Sequence, residues 1–276
     1  MKEWQKAVKY VALGLAIFLS VSIIGGILSA VAAFGGIFDF FNGNKDLVGD
    51  IKSYSVSSDI SALDIEIGAA ELNIKIGDKF DIESNLKDLK VQEKNGKLII
   101  SQKERWFNIS SEAAVLNIYI PENTEFKTAD IATGAGKVTI QKLQAEEIDL
   151  ELGAGAVIIE NLISRRSADI DGGAGALTIE GGEIYNLDLN MGVGDLKLTG
   201  KLLGEADLDY GIGKTELNLI GNDYYDYSVI LNKGIGKTTI NGNAISDGTV
   251  FGKGKTKIEI DGGIGENAIL FLESAE

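Results

Sequence analysis

The sequence predicts an all-β fold: a β-solenoid (β-helix) with a repeat of about 19–20 residues, preceded by one transmembrane α-helix. Three observations carry this prediction. Gly-x-Gly recurs at 134–136, 153–155, 173–175, 192–194, 211–213, 234–236, 252–254 and 263–265, in steps of 19, 20, 19, 19, 23, 18 and 11. Apolar and polar residues alternate with period two on both sides of these pairs. A 29-residue run near the amino terminus, Tyr10 to Phe38, carries no charge.

A self-similar period near 20 is the mark of stacked repeats. Aligned on the first glycine, position +4 holds Val138, Val157, Leu177, Leu196, Thr215, Thr238 and Thr256. Position +6 holds Ile140, Ile159, Ile179, Leu198, Leu217, Ile240 and Ile258. Position −3 holds Ile131, Leu150, Ile170, Leu189, Leu208, Leu231, Thr249 and Ile260. Each unit therefore reads as strand, glycine corner, strand and polar loop. The glycines permit a sharp bend that a Cβ would obstruct. A lone unit has no partner for its apolar face. Stacking units about 4.8 Å apart buries that face in a continuous column and pairs every backbone with its neighbours. A sandwich or barrel would show many short strands too, but not the same corner at a near-constant step.

The segment 53–121 is a less regular version of the same unit. Leu63-Asp64-Ile65-Glu66-Ile67, Gly68-Ala69-Ala70 and Leu72-Asn73-Ile74-Lys75-Ile76 read as a first coil that has lost its second corner glycine. Leu98-Ile99-Ile100 and Val115 to Ile120 read as strands, with a loop over 104–112. Beyond Thr249 the steps shorten and Lys253 replaces the apolar corner residue. That reads as fraying towards a cap, with Ala268 to Leu272 covering the open end.

As a helix, Tyr10–Phe38 would span about 43 Å against a hydrocarbon core of about 30 Å. Lys2, Lys6 and Lys9 precede it; Asp39, Lys45, Asp46 and Asp50 follow. The positive-inside bias places residues 1–9 in the cytoplasm and everything after about 39 outside. Ala30-Val31-Ala32 also fits a small-x-small cleavage site, although a signal peptide's apolar core is only about 7–15 residues. Either reading sends the bulk of the chain outward. The predicted organisation is a cytoplasmic segment 1–9, a transmembrane helix 10–38, a linker 39–52 and an extracytoplasmic β-solenoid 53–276.

Composition narrows the chemistry. The chain has 276 residues, 35 glycines, one proline, and neither His nor Cys. A Ser-His-Asp triad, a Cys-His nucleophile and thiolate or imidazole metal sites are excluded. A net charge of −15 argues against nucleic acid as a partner. Three sequences mimic the end of a phosphate-binding loop: Gly213-Lys214-Thr215, Gly236-Lys237-Thr238 and Gly254-Lys255-Thr256. The glycine that pattern needs five residues earlier is Leu208, Leu231 or Thr249 instead. Asp171-Gly172-Gly173-Ala174-Gly175 and Asp261-Gly262-Gly263-Ile264-Gly265 resemble calcium-binding nonapeptides, but Leu177 and Asn267 stand where the next Asp is required. The expectation is a non-enzyme with no catalytic, cofactor or resident metal residues.

One pattern stands apart. Asp130, Asp149, Asp169, Asp188 and Asp207 occupy position −4, and Glu151, Asp171, Asn190, Asp209 and Asn232 occupy position −2. These alternate with the apolar positions, so they face outward in two adjacent ladders with carboxylates about 5 Å apart. Each like-charged neighbour pair costs about 0.8 kcal/mol even at water's dielectric constant. The ladders read either as a stripe for hard divalent cations or as a solvated acidic face that also blocks edge-to-edge aggregation. A second column, Lys137, Asp195, Lys214, Lys237 and Lys255, reads as charge balance or as an anion-attracting strip. The long step after 211 contains Tyr224-Tyr225-Asp226-Tyr227, read either as a contact loop or as side-chain cover over a widened coil.

The Gly-Ala-Gly-x-φ-x-Ile units, the opening Ser58-Asp59-Ile60-x-x-Leu63-x-Ile65 and the segment Ile118-Tyr119-Ile120-Pro121 resemble the bacterial putative-adhesin β-strand-repeat family of the toastrack type, over about residues 55–260. The resemblance implies a membrane-anchored, outward single-stranded β-helix. The expected function is a bacterial cell-surface protein, single-pass in the membrane, used in adhesion or as an envelope-stress accessory. Expected partners are other cell-envelope membrane proteins or wall and host glycans. Self-association through exposed coil ends and polysaccharide chemistry are the competing readings.

Overall fold

The structure, a computed structural model, describes residues 48–57, 59–102, 114–222 and 225–273. The expected cytoplasmic segment, the helix over 10–38, most of the linker and the loop over 104–112 lie outside the described residues. Among the described residues no helix is long and apolar enough to cross a membrane.

The described chain is all strand and turn. In order the strands are β1 (Val48–Ser55), β2 (Ala62–Ala69), β3 (Glu71–Gly77), β4 (Asp81–Leu86), β5 (Leu89–Lys94), β6 (Lys97–Gln102) and β7 (Val115–Pro121). Then come β8 (Phe126–Ile140), β9 (Leu143–Ile159), β10 (Leu162–Ile179) and β11 (Gly182–Ile220). The last six are β12 (Tyr227–Asn232), β13 (Ile235–Ile240), β14 (Asn243–Ala244), β15 (Thr249–Gly252), β16 (Thr256–Asp261) and β17 (Ile264–Leu272). Val48 to Lys52, read from sequence as the end of the linker, begin strand β1.

The centre is a parallel stack in sequence order. β8, β9, β10 and the first half of β11 pair in register, with Ile131 beside Leu150, Leu150 beside Ile170 and Ile170 beside Leu189. Each coil buries its residues in three short alternating runs. In β9 these are Leu143 and Ala145, then Ile148, Leu150 and Leu152, then Val157 and Ile159. Each slip in the alternation marks a bend, so a coil has three flat sides. The step of 20 in place of 19 has a local cause. Between Ser164 and Ser167 the register shifts by one residue, and the extra residue bulges at Arg165-Arg166. Arg166 pairs with Glu147 and Arg165 with Glu183 on the adjoining coils, and Arg165 also reaches Glu125 two rungs away.

Both corner glycines are required, for different reasons. A Cβ on the first would strike the carbonyl of the equivalent glycine one coil away: 1.9 Å from Gly153 to the Gly134 oxygen and 2.2 Å from Gly173 to the Gly153 oxygen. The second has positive φ (139° at Gly136, 145° at Gly155, 137° at Gly175) and is equally crowded. The residue between them faces solvent and grows along the stack, from Ala135, Ala154 and Ala174 to Val193, Ile212, Ile264 and Ile235.

At both ends spatial order departs from sequence order. The coil made of β2 and β3 is not terminal: β8 flanks it on one side, and β6 with β7 flanks it on the other. Beyond these, β5 pairs antiparallel to β6, β4 antiparallel to β7, and β1 antiparallel to β4. At the opposite end, the second half of β11 is followed in space by β16 and β17, not by β12 and β13. Ile212 pairs with Ile264, and Ile264 pairs with Ile235. The last coil of the sequence is thus inserted between its two predecessors.

The insertion corrects the sequence reading of the carboxy-terminal region. Residues 256–272 are a full rung and not a fraying cap. The terminal rung is β12–β13, edged by β15 antiparallel to β12 and β14 antiparallel to β13. Gly252-Lys253-Gly254 is not a corner of the column. It steps across the start of β12, and a Cβ on Gly254 would lie 1.9 Å from the Asp226 carbonyl carbon. Thr249 lies in β15 opposite Leu231, and Ile258 stands beside Ala206 and Val229, before a corner and not after one. The interior +4 column therefore runs Val138, Val157, Leu177, Leu196, Thr215, Asn267, Thr238. Its buried polar members meet, with Asn267 Nδ2 donating to Thr238 Oγ1 at 3.4 Å. Thr256 stands elsewhere, donating to the Leu202 carbonyl.

Candidate functional site

The two ladders form as the alternation requires. Asp130, Asp149, Asp169 and Asp188 stand beside one another in register. The parallel pairing sets their spacing at about 4.8 Å. Insertion of the last coil lengthens both columns. Asp207 is followed by Glu259 and then Ile230; Asp209 is followed by Asp261 and then Asn232. At the other end Asp64 stands beside Asp130, and Glu66 beside Ala132. Asp64 and Glu259 stand at position −4, and Asp261 at position −2, of the corners at Gly68 and Gly263, so the alignment that gave the middle of the row already held them and the sequence reading passed over them.

The electrostatics are those of a crowded carboxylate row. Asp149, Asp169 and Asp207 are each held above the ordinary carboxyl range, first by partial burial and then by neighbouring carboxylates: Glu151 and Asp130 for Asp149, Asp188 and Asp149 for Asp169, Asp209 and Asp188 for Asp207. Lys97 closes one end of the row, 2.8 Å from Asp64 and 3.2 Å from Asp130. Its ammonium is held above the usual lysine range, chiefly by the hydrogen bond to Asp64. At the other end the carboxylate oxygens of Asp207, Asp209 and Asp261 lie within 4.8 Å of one another. They are hard oxygen donors of the type that suits calcium or magnesium, but all three are exposed.

A carboxyl with a raised folded-state pKa binds protons more readily folded than unfolded. It opposes folding above its folded pKa, and that opposition is relieved as pH falls through the shifted value. Glu93 and Glu216 act in reverse. Hydrogen bonds from Ser57 and Asn218 respectively hold them low, so their contribution is present above the ordinary glutamate value and lost below it. Stability is therefore expected to peak at mildly acidic pH. Asp169→Asn removes the repulsion from Asp188, Asp149 and Asp171 at once. It is expected to raise Tm by about 1–3 °C at low ionic strength, with the gain shrinking in 0.15 M salt. Thermal melts of both proteins at two salt concentrations test this; an unchanged or lowered Tm for the variant contradicts the repulsive row.

Two shallow surface grooves run beside the ladder, of about 450 Å³ and 540 Å³. They share Asp171 and Gly172; Glu66 and Glu151 line the first, Asn190, Asp209 and Asp261 the second. The second is also lined by Tyr210, whose buried hydroxyl has no hydrogen-bond partner and is pushed well above the usual phenol range by burial.

The other sequence candidates sort differently. In the lysine column Glu266 stands between Lys214 and Lys237, and Lys255 is not a member. The three Gly-Lys-Thr sequences lie on strands or turns, and Thr215, Thr238 and Thr256 point into the core. In the tyrosine insert, Tyr227 is buried. Its hydroxyl donates to the Ile220 carbonyl at 2.7 Å, its ring lies 5.5 Å from Phe271, and burial pushes its pKa up to about 12. Tyr225 is 75% exposed, and Tyr224 lies outside the described residues. The insert thus supplies core cover through one tyrosine and surface through another.

No curated protein matches the chain. Solved structures similar to it include one described as a putative cell adhesion protein from Clostridium sporogenes (14% identity, 81% of this chain and 99% of that chain, TM-score 0.35). A second is a putative adhesin from Bacteroides fragilis (13%, 81% and 96%, TM-score 0.47). A third is a putative lipid binding protein from Parabacteroides distasonis (14%, 80% and 96%, TM-score 0.40). Likenesses at these scores carry no assignment of function. The family model described as Toastrack DUF4097 matches residues 49–220, and the chain belongs to that family.

Proposed function

We propose that this protein is a binding scaffold of the bacterial cell envelope, held in the membrane by residues 10–38 with its β-solenoid outside, and that it acts in adhesion or as an envelope-stress accessory. The observation that carries this reading is the in-register acidic row along one side of the stack, from Asp64 to Glu259. It gives the molecule one long, uniform contact surface with shallow grooves beside it. His and Cys are absent from the sequence, so imidazole and thiolate chemistry are excluded.

Immobilised residues 39–276, exposed to cell-envelope extract with and without calcium, test the proposal. Specific capture of wall polymer or host glycan supports adhesion. Capture of a bacterial membrane protein supports the envelope-stress role. Loss of capture when Asp149, Asp169 and Asp188 are changed to Asn assigns it to the acidic row. Capture of nothing under either condition overturns the scaffold reading. Degradation of a polysaccharide would move the protein to the enzyme class.

A further inference from the structure

We propose that residues 256–272 are an exchangeable rung, and that the slot they fill also accepts the same segment from a second copy of this chain. The segment is enclosed by backbone pairing on both sides over most of its length. On one side Glu205 to Asp209 pair with Lys257 to Asp261, and Ile212 to Ile220 pair with Ile264 to Leu272. On the other side Tyr227 to Asn232 pair with Thr256 to Asp261, and Ile235 to Ile240 pair with Ile264 to Ile269. Both walls of the slot are complete before the chain reaches residue 256, so nothing in the slot requires its occupant to be covalently continuous with it.

Residues 253–255 alone join the segment to β15. That strap is tight. β15 and β16 lie on opposite sides of β12, so three residues step over a strand. Gly252 has φ of 81°, and Gly254 is pressed against the backbone of Asp226 and Tyr227. A short, crowded hinge is the geometry that invites exchange between copies. Straightened, the strap would deliver β16 and β17 to a neighbouring molecule, where every register pair is reproduced. The closed and exchanged forms then differ in the hinge and in the effective concentration of the segment.

The natural absence of cysteine makes a direct test possible. Glu216 and Ala268 are register partners on adjacent rungs and lie within the Cα separation a disulfide spans. Full-length Glu216→Cys and full-length Ala268→Cys are mixed in detergent, unfolded, refolded together and oxidised. A cross-chain disulfide between the two variants is expected at tenfold or more over a mixture of Glu216→Cys with Lys142→Cys, a surface position distant from residue 216. Yield at the control level overturns the proposal. A second measurement does not depend on those cysteines: deletion of Lys253 shortens the strap and is expected to raise the dimer fraction at least threefold by light scattering. A deletion variant that stays monomeric, with its own rung seated as shown by an intrachain disulfide in the Glu216→Cys/Ala268→Cys background, also overturns it.

Discussion

Gly155→Val is expected to cost about 5 kcal/mol or more, enough to remove most of an ordinary domain's stability. Two independent penalties meet at this position. The backbone has φ of 145°, and a Cβ would lie 1.8 Å from the Gly136 carbonyl oxygen. Neither neighbour can yield, because the obstructing atoms are backbone in a ladder paired on both sides. At roughly 2–4 °C per kcal/mol for a domain of this size, the variant should lose about 10–20 °C in Tm or fail to fold. Ala154→Val, one residue away, is the matched control. Its side chain faces outward, and the equivalent position already carries Val193 and Ile212 on other coils. That variant should melt within a degree or two of the parent. Similar melting of the two variants would mean that the corner tolerates relaxation the stacked geometry does not allow.

Truncation after Lys255 is expected to release the whole carboxy-terminal edge. The deleted rung buries Ile258, Ile260 and Ile269 almost completely, which is about 5–9 kcal/mol of apolar burial at ordinary side-chain values. It is also the parallel partner of both β12 and β13. Direct restacking of 227–240 on 200–220 would place Lys237 against Lys214, which Glu266 separates in the intact chain. Hydrogen exchange should therefore show 225–252 unprotected and 200–220 weakened, with 126–198 near its original protection. Retained protection across 225–252 would show that the terminal rung does not depend on the insert.

Much of the stack is legible in the sequence because its demands are local. A corner that tolerates no Cβ forces glycine at both places, and alternation with period two follows from having one buried face per strand. What is not legible is spatial order. The corners at 211, 234 and 263 carry nearly the same residues, so periodicity alone places them consecutively. The cues to the insertion were physical and present: the step of 23 supplies chain to pass over a missing rung, and Lys253 occupies a place where a corner carries an apolar residue. The acidic row was legible over its middle coils by the same alternation. Its end carboxylates were legible too, since Asp64, Glu259 and Asp261 keep the −4 and −2 places before the corners at 68 and 263. What was not legible is which rungs they neighbour, and that Lys97 reaches the row from a segment outside the regular repeat.

The inserted rung also bears on synthesis. A ribosome delivers the amino-terminal coils first, and a stack in sequence order could grow one coil at a time behind the emerging chain. Here the coil that lies inside the edge coil in space is made after it in time. A polypeptide that stalls or is cut short of residue 256 ends on an unpaired parallel edge, the kind of surface that invites aggregation or proteolysis. The fold thus makes residues 256–272 a check on synthesis, passed only by a chain that extends through them.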